Sequence, residues 1–125
     1  MPIDATKPYD DTNIFARILR GELPCGKVYE DEYALAFRDI NAQAPVHILV
    51  IPKGAYVSWD DFSARASAEE IAGYVRAIGH VAREQALVAP GYRLLANTGP
   101  DSGQEVPHLH VHLFGGRPLG PMLAR

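Results

Sequence analysis

Residues 108–114 read His-Leu-His-Val-His-Leu-Phe, and this alternation of histidine with apolar residues decides the interpretation of the fold. Successive side chains of a β-strand point to opposite faces of a sheet. The three histidines would therefore lie on one face, about 6.7 Å apart along the strand, with the apolar residues on the other. The segment predicts a final strand, closed by Gly115 and Gly116, that has one buried face and one face of imidazoles.

Four further segments of the sequence predict strands. Val46–Ile51 is a β-branched run that ends at a proline, as in a largely buried strand. Lys27–Glu30 and Tyr33–Arg38 are separated by only two residues, which predicts a tight antiparallel hairpin. Tyr92–Asn97 follows a Pro-Gly break and precedes a loop rich in Gly and Pro at 98–107.

Two helices are predicted. Asp11 or Thr12 would cap a short first helix, and Gly21 follows where a helix C-terminus favours a left-handed residue. Ser67 and Glu70 have the spacing of a capping box, and apolar residues continue from there at helical intervals. Five strands joined by short connections and one helical crossover predict an α+β domain with a mainly antiparallel sheet, one face of which the crossover helix covers.

The composition describes one ordinary globular domain of 125 residues. Twelve Lys and Arg against fifteen Asp and Glu give a net charge of -3, which argues against sequence-independent binding to nucleic acid or to an anionic membrane. Residues 1–10 contain two prolines and no hydrophobic periodicity. We therefore expect an extended N-terminal arm at 1–10, followed by a single domain at 11–125.

The sequence also bears on localisation. The first residues include no apolar stretch that resembles a signal peptide, and the longest apolar run is far too short to cross a bilayer. The single cysteine, Cys25, cannot form an internal disulfide, which favours a reducing compartment or a free buried thiol. We expect a cytoplasmic protein.

Three roles are open for the histidine ladder, defined as His108, His110 and His112. A solvated polar face is the first, although any polar residue would serve there. A zinc site is the second, with His47 as a substitute ligand, since three histidines along one straight strand diverge from the common point that zinc requires. The third role, which we favour, is covalent catalysis at phosphorus, because neutral imidazole has an ordinary pKa of about 6.5 and attacks without further activation. His110 would be the nucleophile, between two imidazoles that orient it or transfer protons.

The loop before the ladder has the composition of a phosphate-binding turn. Gly99, Ser102 and Gly103 permit a backbone turn whose amides point at an anion, and the side chains of Ser102 and Gln104 would add donors. Clusters of Gly and Ser usually mark only a loop. The position of this one directly before the ladder favours phosphate binding.

These residues resemble the histidine-triad (HIT) superfamily, in particular its nucleotide-binding branch in bacteria. The ladder fits the alternating pattern of the triad, and the likeness runs from about Asn13 to Ala124. The segments that carry it, besides the triad, are Ile14–Ile18, Ala36–Ile40, Gln43–His47, Gly103–Val106 and the tail Gly115–Leu123.

The resemblance implies a HIT-like fold and a homodimer in which the sheets of two protomers join. It implies hydrolysis of nucleoside 5'-phosphoramidates, typically of adenosine, through a nucleotidyl-histidine intermediate, with no metal and no other cofactor. His110 would be the nucleophile, and His108 and His112 would contact the phosphate and transfer protons. His47 would support His110 through a hydrogen bond.

The same resemblance implies a nucleotide site. Asp39 and Ile40 would bind the nucleoside, and the Asp39 carboxylate can accept hydrogen bonds from both ribose hydroxyls. Glu105 would repel phosphate unless its backbone amide makes the contact. The other residues of the phosphate and ribose side would be Asn97, Gly103, Gln104, His110 and His112. Phe15, Ile18, Phe37 and Leu49 are suitable walls for a purine, and equally suitable core residues.

Three other functions fit the same residues. A non-catalytic protein could use the pocket as a purine nucleotide sensor or scaffold, since binding residues and the ladder would be shared. A hydrolase of dinucleoside polyphosphates would use the same nucleophile. A zinc enzyme would lose its activity to chelators and regain it with metal.

Overall fold

A five-stranded sheet with the order β1-β2-β3-β5-β4 forms the centre of the computed structural model, which describes residues 3–124. Each neighbouring pair of strands is antiparallel, so the predicted α+β class and sheet are confirmed. Met1 and Pro2 of the predicted arm, and Arg125 at the end of the predicted domain, lie outside the described residues. The strands are β1 (Lys27–Glu30), β2 (Ala34–Arg38), β3 (Val46–Pro52), β4 (Arg93–Leu95) and β5 (Val111–Gly115).

Both predicted helices are present, as α1 (Ile14–Leu19) and α3 (Ala68–Glu84). The capping box of α3 is confirmed, and Gly21 has the expected left-handed backbone at φ +79°. The predicted cap of α1 is wrong, because Asn13, not Asp11 or Thr12, accepts a hydrogen bond from the backbone N–H of Ala16 at 2.9 Å.

A third helix, α2 (Trp59–Arg65), was not predicted. It begins at Ser58, whose hydroxyl accepts from the backbone N–H of Asp61. Phe62 is its one buried residue, so a segment of seven residues offers no repeated apolar stripe from which a helix can be recognised.

The final strand starts at Val111, three residues later than predicted. Its pairing with β3 ends where Val111 lies opposite Val50, two residues before β3 ends at Pro52. Before that pair, Leu109 donates its backbone N–H to the carbonyl of Tyr56 at 2.8 Å instead of to β3. The predicted alternation nevertheless holds. Leu109, Val111 and Leu113 are buried in the core, on the side opposite the histidines.

The two faces of the sheet have different partners. Helix α3 covers one face and forms the main core with residues such as Tyr74, Ile78 and Val81, as predicted. The other face carries a smaller apolar cluster to which α1 contributes Phe15. We call this second face the site face, because the histidines lie on it. Its other apolar residues are Leu35, Phe37, Leu49 and Ile51.

Two expectations about the surface can be compared with residues 3–124. Cys25 is exposed, so the alternative of a buried thiol is wrong. Within this range, none of the helices combines the length and the apolar character that a bilayer crossing requires.

Candidate active site

A cleft of about 370 Å³ opens on the site face, between α1 and the loop that precedes the ladder. Its volume is within the usual range for small-molecule sites. His110 and His112 line it together with the four predicted apolar wall residues, so those residues belong to the cleft and to the apolar cluster at once. The predicted residues along the cleft are Phe15, Ile18, Phe37, Asp39, Ile40, Leu49, Glu105, His110 and His112.

Some residues of the cleft were not predicted. The loop between α1 and β1 forms one rim, and apolar or backbone contacts of this kind leave no chemical signal in a sequence. Asn97, Gly103 and Gln104 were predicted for the site but do not line this cleft. The additional lining residues are Ile14, Leu23, Pro24, Cys25, Gly26, Arg38, Asn41 and Val106.

The hydrogen bonds of His110 fix its tautomer. Its Nδ1 lies 2.8 Å from the carbonyl oxygen of His108, and a carbonyl can only accept, so Nδ1 carries the proton. Nε2 of the neutral ring then has the lone pair. Within residues 3–124, every buried side-chain nitrogen has a hydrogen-bond partner. Nε2 of His110 makes no hydrogen bond, so this atom is not buried, and because His110 lines the cleft, we infer that Nε2 is accessible from the cleft. The ring presents an unshared electron pair to whatever occupies the cleft.

His47 fixes the tautomer of His112. Nδ1 of His47 accepts the backbone N–H of Gln43 at 3.1 Å, so the proton of neutral His47 is on Nε2, which donates to Nδ1 of His112 at 2.9 Å. His112 therefore carries its own proton on Nε2, which by the same reasoning is open to solvent. The implied hydrogen bond between His47 and His110 is wrong: His47 lies on β3 beside β5, and its imidazole reaches the ladder at His112.

His108 does not reach the cleft. It is fully buried, its Nε2–H donates to the carbonyl of Pro52 at 2.9 Å, and its Nδ1 lies 2.7 Å from the hydroxyl of Tyr9. Both ring nitrogens are thus used inside the protein. The direct contact of His108 with phosphate that the resemblance implies is contradicted by this placement, and the first histidine of the ladder supports the second through its backbone carbonyl.

Burial keeps the site histidines neutral. Burial is the main cause that lowers the pKa of His108 and of His112 to about 4, and the neighbouring His110 and His47 contribute to the lowered pKa of His112. The pKa of His110 is also lowered by burial, against the opposing effect of the Glu105 and Asp39 carboxylates. The pKa of His47 is lowered for the same reason, with Asp39 opposing. At neutral pH all four rings are therefore in the form that the hydrogen bonds require.

Asp39 lies beside His47 at the rim of the cleft. Its backbone N–H donates to the carbonyl of His47 at 3.0 Å, and one carboxylate oxygen is 3.4 Å from Nε2 of His47. The other oxygen accepts the backbone N–H of Asn41 at 2.8 Å. Ligand atoms of Asp39, His47 and His112 lie within 4.8 Å of one another, which is a donor set that a metal such as zinc accepts.

The polar side chains of the loop before the ladder make hydrogen bonds within the protein. Gln104 is buried; its Nε2 donates to the carbonyls of Val57 at 2.7 Å and of Val106 at 3.0 Å, and its Oε1 accepts the backbone N–H of Gly99 at 3.0 Å. The hydroxyl of Ser102 donates to the carbonyl of Gly99. The prediction that these two side chains donate to a phosphate is therefore wrong. They hold the loop in shape beside the cleft.

The site face thus presents one neutral imidazole with a free lone pair and one with a free N–H, in a largely apolar cleft. A profile of the HIT domain matches residues 20–119. The chain belongs to the HIT family.

Individual relatives match over nearly the whole chain. An uncharacterized 13.2 kDa HIT-like protein of Azospirillum brasilense is 66% identical, over 95% of this chain and 98% of that protein. The purine nucleoside phosphoramidase of Escherichia coli K12 is 44% identical, over 91% of this chain and 95% of that enzyme. The solved structure of a HIT family hydrolase from Clostridium thermocellum has a TM-score of 0.83 at 37% identity, over 92% of this chain and 99% of that chain.

Proposed function

We propose that this protein hydrolyses the P–N bond of purine nucleoside 5'-phosphoramidates through a covalent nucleotidyl-histidine intermediate. The observation that carries the proposal is the tautomer of His110, whose Nδ1–H is held by the His108 carbonyl and whose Nε2 is free at the cleft. The 44% identity to a purine nucleoside phosphoramidase supports the substrate class.

In the first step, the lone pair of His110 Nε2 attacks phosphorus as the P–N bond breaks. The leaving nitrogen takes up a proton from solvent and departs as the free amine, and the new N–P bond gives the ring of His110 a positive charge. The His108 carbonyl, 2.8 Å from Nδ1, stabilises that charge because its hydrogen bond strengthens as the ring becomes cationic. Nε2–H of His112 also points into the cleft, where it donates a hydrogen bond to a phosphoryl oxygen or to the leaving nitrogen.

In the second step, water attacks phosphorus and the N–P bond breaks. The electron pair returns to His110 Nε2, one water proton is released, and the nucleoside monophosphate leaves. His112 again donates its Nε2–H to the phosphoryl group. The ring of His110 is then restored in its original tautomer, without rotation.

The nucleoside would occupy the apolar part of the cleft. The apolar surface for a purine base comes from Phe15, Phe37 and Leu49. At the rim of the cleft, the Asp39 carboxylate accepts hydrogen bonds from the ribose hydroxyls. Glu105 lines the cleft and is exposed, and we propose that its backbone amide, not its carboxylate, faces the phosphate.

We propose further that the protein is a homodimer joined at β4. This three-residue strand is an edge of the sheet, and unpaired edges are sites at which another strand can add. A groove of about 550 Å³ runs beside β4, and its lining includes exposed Leu94 of the strand itself and three exposed neighbours, Trp59, Val75 and Tyr92. Leu94→Lys should give a monomer by light scattering after size exclusion, while the exposed Val88→Lys, outside the groove, should remain a dimer. A wild-type monomer at micromolar concentration would overturn this proposal.

Rapid quench in base, in which P–N bonds are stable, with adenosine 5'-phosphoramidate labelled at phosphorus tests the reaction. We expect the label to be attached to His110 of the wild-type protein during turnover. The His110→Gly variant should carry no label. A non-catalytic sensor would bind adenosine monophosphate without forming the adduct or releasing amine. A hydrolase specific for dinucleoside polyphosphates would form the adduct only with those compounds.

A second candidate is a zinc enzyme, which the proximity of Asp39, His47 and His112 favours. In the proposed hydrolase, Nε2–H of His47 instead donates a hydrogen bond to Nδ1 of His112 at 2.9 Å. Turnover that is lost on chelation and restored by zinc would select the zinc enzyme. Turnover that survives chelation, with no metal in the active protein by mass spectrometry, selects the imidazole nucleophile.

A further inference from the structure

Tyr9, a residue of the N-terminal arm, lies against the first histidine of the ladder. Its hydroxyl is 2.7 Å from Nδ1 of His108, and the two rings meet edge to face with centroids 5.6 Å apart. The residues are 99 positions apart in the sequence, so this contact joins the arm to the end of the chain that carries the site. Tyr9 belongs to none of the residues that line the cleft.

The direction of this hydrogen bond follows from the other nitrogen of the same ring. Nε2 of His108 faces the carbonyl of Pro52 at 2.9 Å and must carry the proton, so Nδ1 of the neutral ring has the lone pair. Tyr9 O–H is then the donor. The hydroxyl is available as a donor at neutral pH, since burial raises the pKa of Tyr9 above its ordinary value.

His108 transmits this constraint to the nucleophile. The ring of His108 is held at both nitrogens, which fixes the position of its backbone, and its own carbonyl accepts Nδ1–H of His110 at 2.8 Å. Phe15 packs against both rings, with centroids 6.3 Å from His108 and 5.0 Å from His110. Tyr9, His108 and His110 thus form a continuous chain of contacts from the arm to the reacting nitrogen.

We propose that Tyr9 is a positioning residue, which holds His108 in one tautomer and orientation so that its carbonyl keeps the lone pair of His110 on Nε2. The proposal rests on the proposed function, in which His110 Nε2 is the nucleophile. It assigns to Tyr9 a part in the reaction although Tyr9 does not line the cleft.

The test is Tyr9→Phe, which removes the hydroxyl and keeps the ring. Tyr29→Phe is the matched control, because its hydroxyl also donates to one side-chain acceptor, Asp31 at 2.8 Å, away from the cleft. We expect kcat for adenosine phosphoramidate to fall about tenfold in Tyr9→Phe with KM within about twofold, as for the loss of one buried hydrogen bond. Tyr29→Phe should keep the wild-type values.

A double variant separates positioning from a general structural effect. In a His108→Gln background, Tyr9→Phe should cause no further fall in kcat, because Tyr9 acts through the ring that is absent. An equal fall in both backgrounds, or wild-type kcat in Tyr9→Phe, would overturn the proposal.

Nitrogen-15 NMR of the histidine rings gives a readout that does not need turnover. In Tyr9→Phe, the Nδ1 resonance of His108 should lose the shift of a hydrogen-bonded acceptor, and the Nδ1–H proton of His110 should exchange faster with water. Unchanged spectra overturn the role of Tyr9, whatever the activity. Changed spectra in a protein that hydrolyses no phosphoramidate would support the contact and count against the proposed function alone.

Discussion

Nε2 of His47 lies 2.9 Å from Nδ1 of His112, so a buried histidine of β3 decides where a histidine of β5 carries its proton. In the register of these strands, His47 is opposite Phe114 and His112 is opposite Leu49, which makes the two histidines diagonal neighbours on one face. Diagonal side chains across an antiparallel pair are within reach of each other when they are large. The strand pairing itself therefore prepares His112 as a donor toward the cleft.

Replacing His47 with leucine should lower kcat about tenfold or more, because His112 loses the hydrogen bond that holds its ring and its tautomer. Steady-state hydrolysis of adenosine phosphoramidate measures the effect. His80→Leu is the matched control, since His80 lies on α3, beside Tyr29 and Glu84, and away from the cleft. An unchanged kcat in His47→Leu would show that His112 is oriented by other contacts.

Asp39→Asn should weaken the binding of ribonucleotides. The substitution keeps the shape of the side chain but removes the charge, and hydrogen bonds to a charged group contribute about 1.5–3 kcal/mol each. We expect adenosine monophosphate to bind at least tenfold more weakly by calorimetry, while the 2',3'-dideoxy compound binds wild type and variant alike. Asp60→Asn on α2 is the control. Equal losses for both nucleotides would place Asp39 away from the ribose.

The sequence predicts the sheet and its two faces because both depend on local periodicity. The alternation around the ladder predicts which side chains pack in the main core, and the β-branched run of β3 predicts a largely buried strand; the structure confirms both. The extent of the final strand could not be predicted, because a tertiary contact ends its pairing: beyond the pair of Val50 with Val111, the backbone N–H of Leu109 bonds to the carbonyl of Tyr56 instead of to β3.

Tertiary contacts account for the rest of what the sequence does not predict. His108 has the same residue type and spacing as His112, yet only the fold shows that one ring is enclosed by Tyr9 and Pro52 while the other lines the cleft. The partner of His47 depends likewise on the diagonal register between strands 65 residues apart in the sequence. No pattern within a single segment contains that information.

Replacing Gln104 with leucine should destabilise the loop before the ladder. Its amide satisfies the carbonyls of Val57 and Val106 and the N–H of Gly99, and each buried polar group left without a partner costs about 1–3 kcal/mol. We expect the free energy of unfolding in urea to fall by at least about 2 kcal/mol. Gln85→Leu, at the end of α3, should change it by less than about 0.5 kcal/mol. Similar values for both variants would mean that the loop contributes nothing to stability through Gln104.

The stability of the protein should depend on pH through the buried histidines. The pKa of His108 is about 4 in the folded protein and about 6.5 in an unfolded chain, so between these values the unfolded state binds more protons. The free energy of unfolding is then at its full value above pH 6.5 and falls as the pH decreases toward 4. The loss from His108 alone is at most about 3 kcal/mol, and His112 contributes in the same window.

Urea unfolding at pH 7.5, 5.5 and 4.5 measures this dependence, with His108→Gln as the comparison. The variant lacks the titrating ring, so its free energy of unfolding should be lower than that of wild type at pH 7.5 and should fall less steeply toward pH 4.5. The difference between the two proteins should therefore narrow in acid. A constant difference across the three pH values would mean that His108 is protonated equally easily in the folded and unfolded states, which its enclosure by Tyr9 and Pro52 forbids.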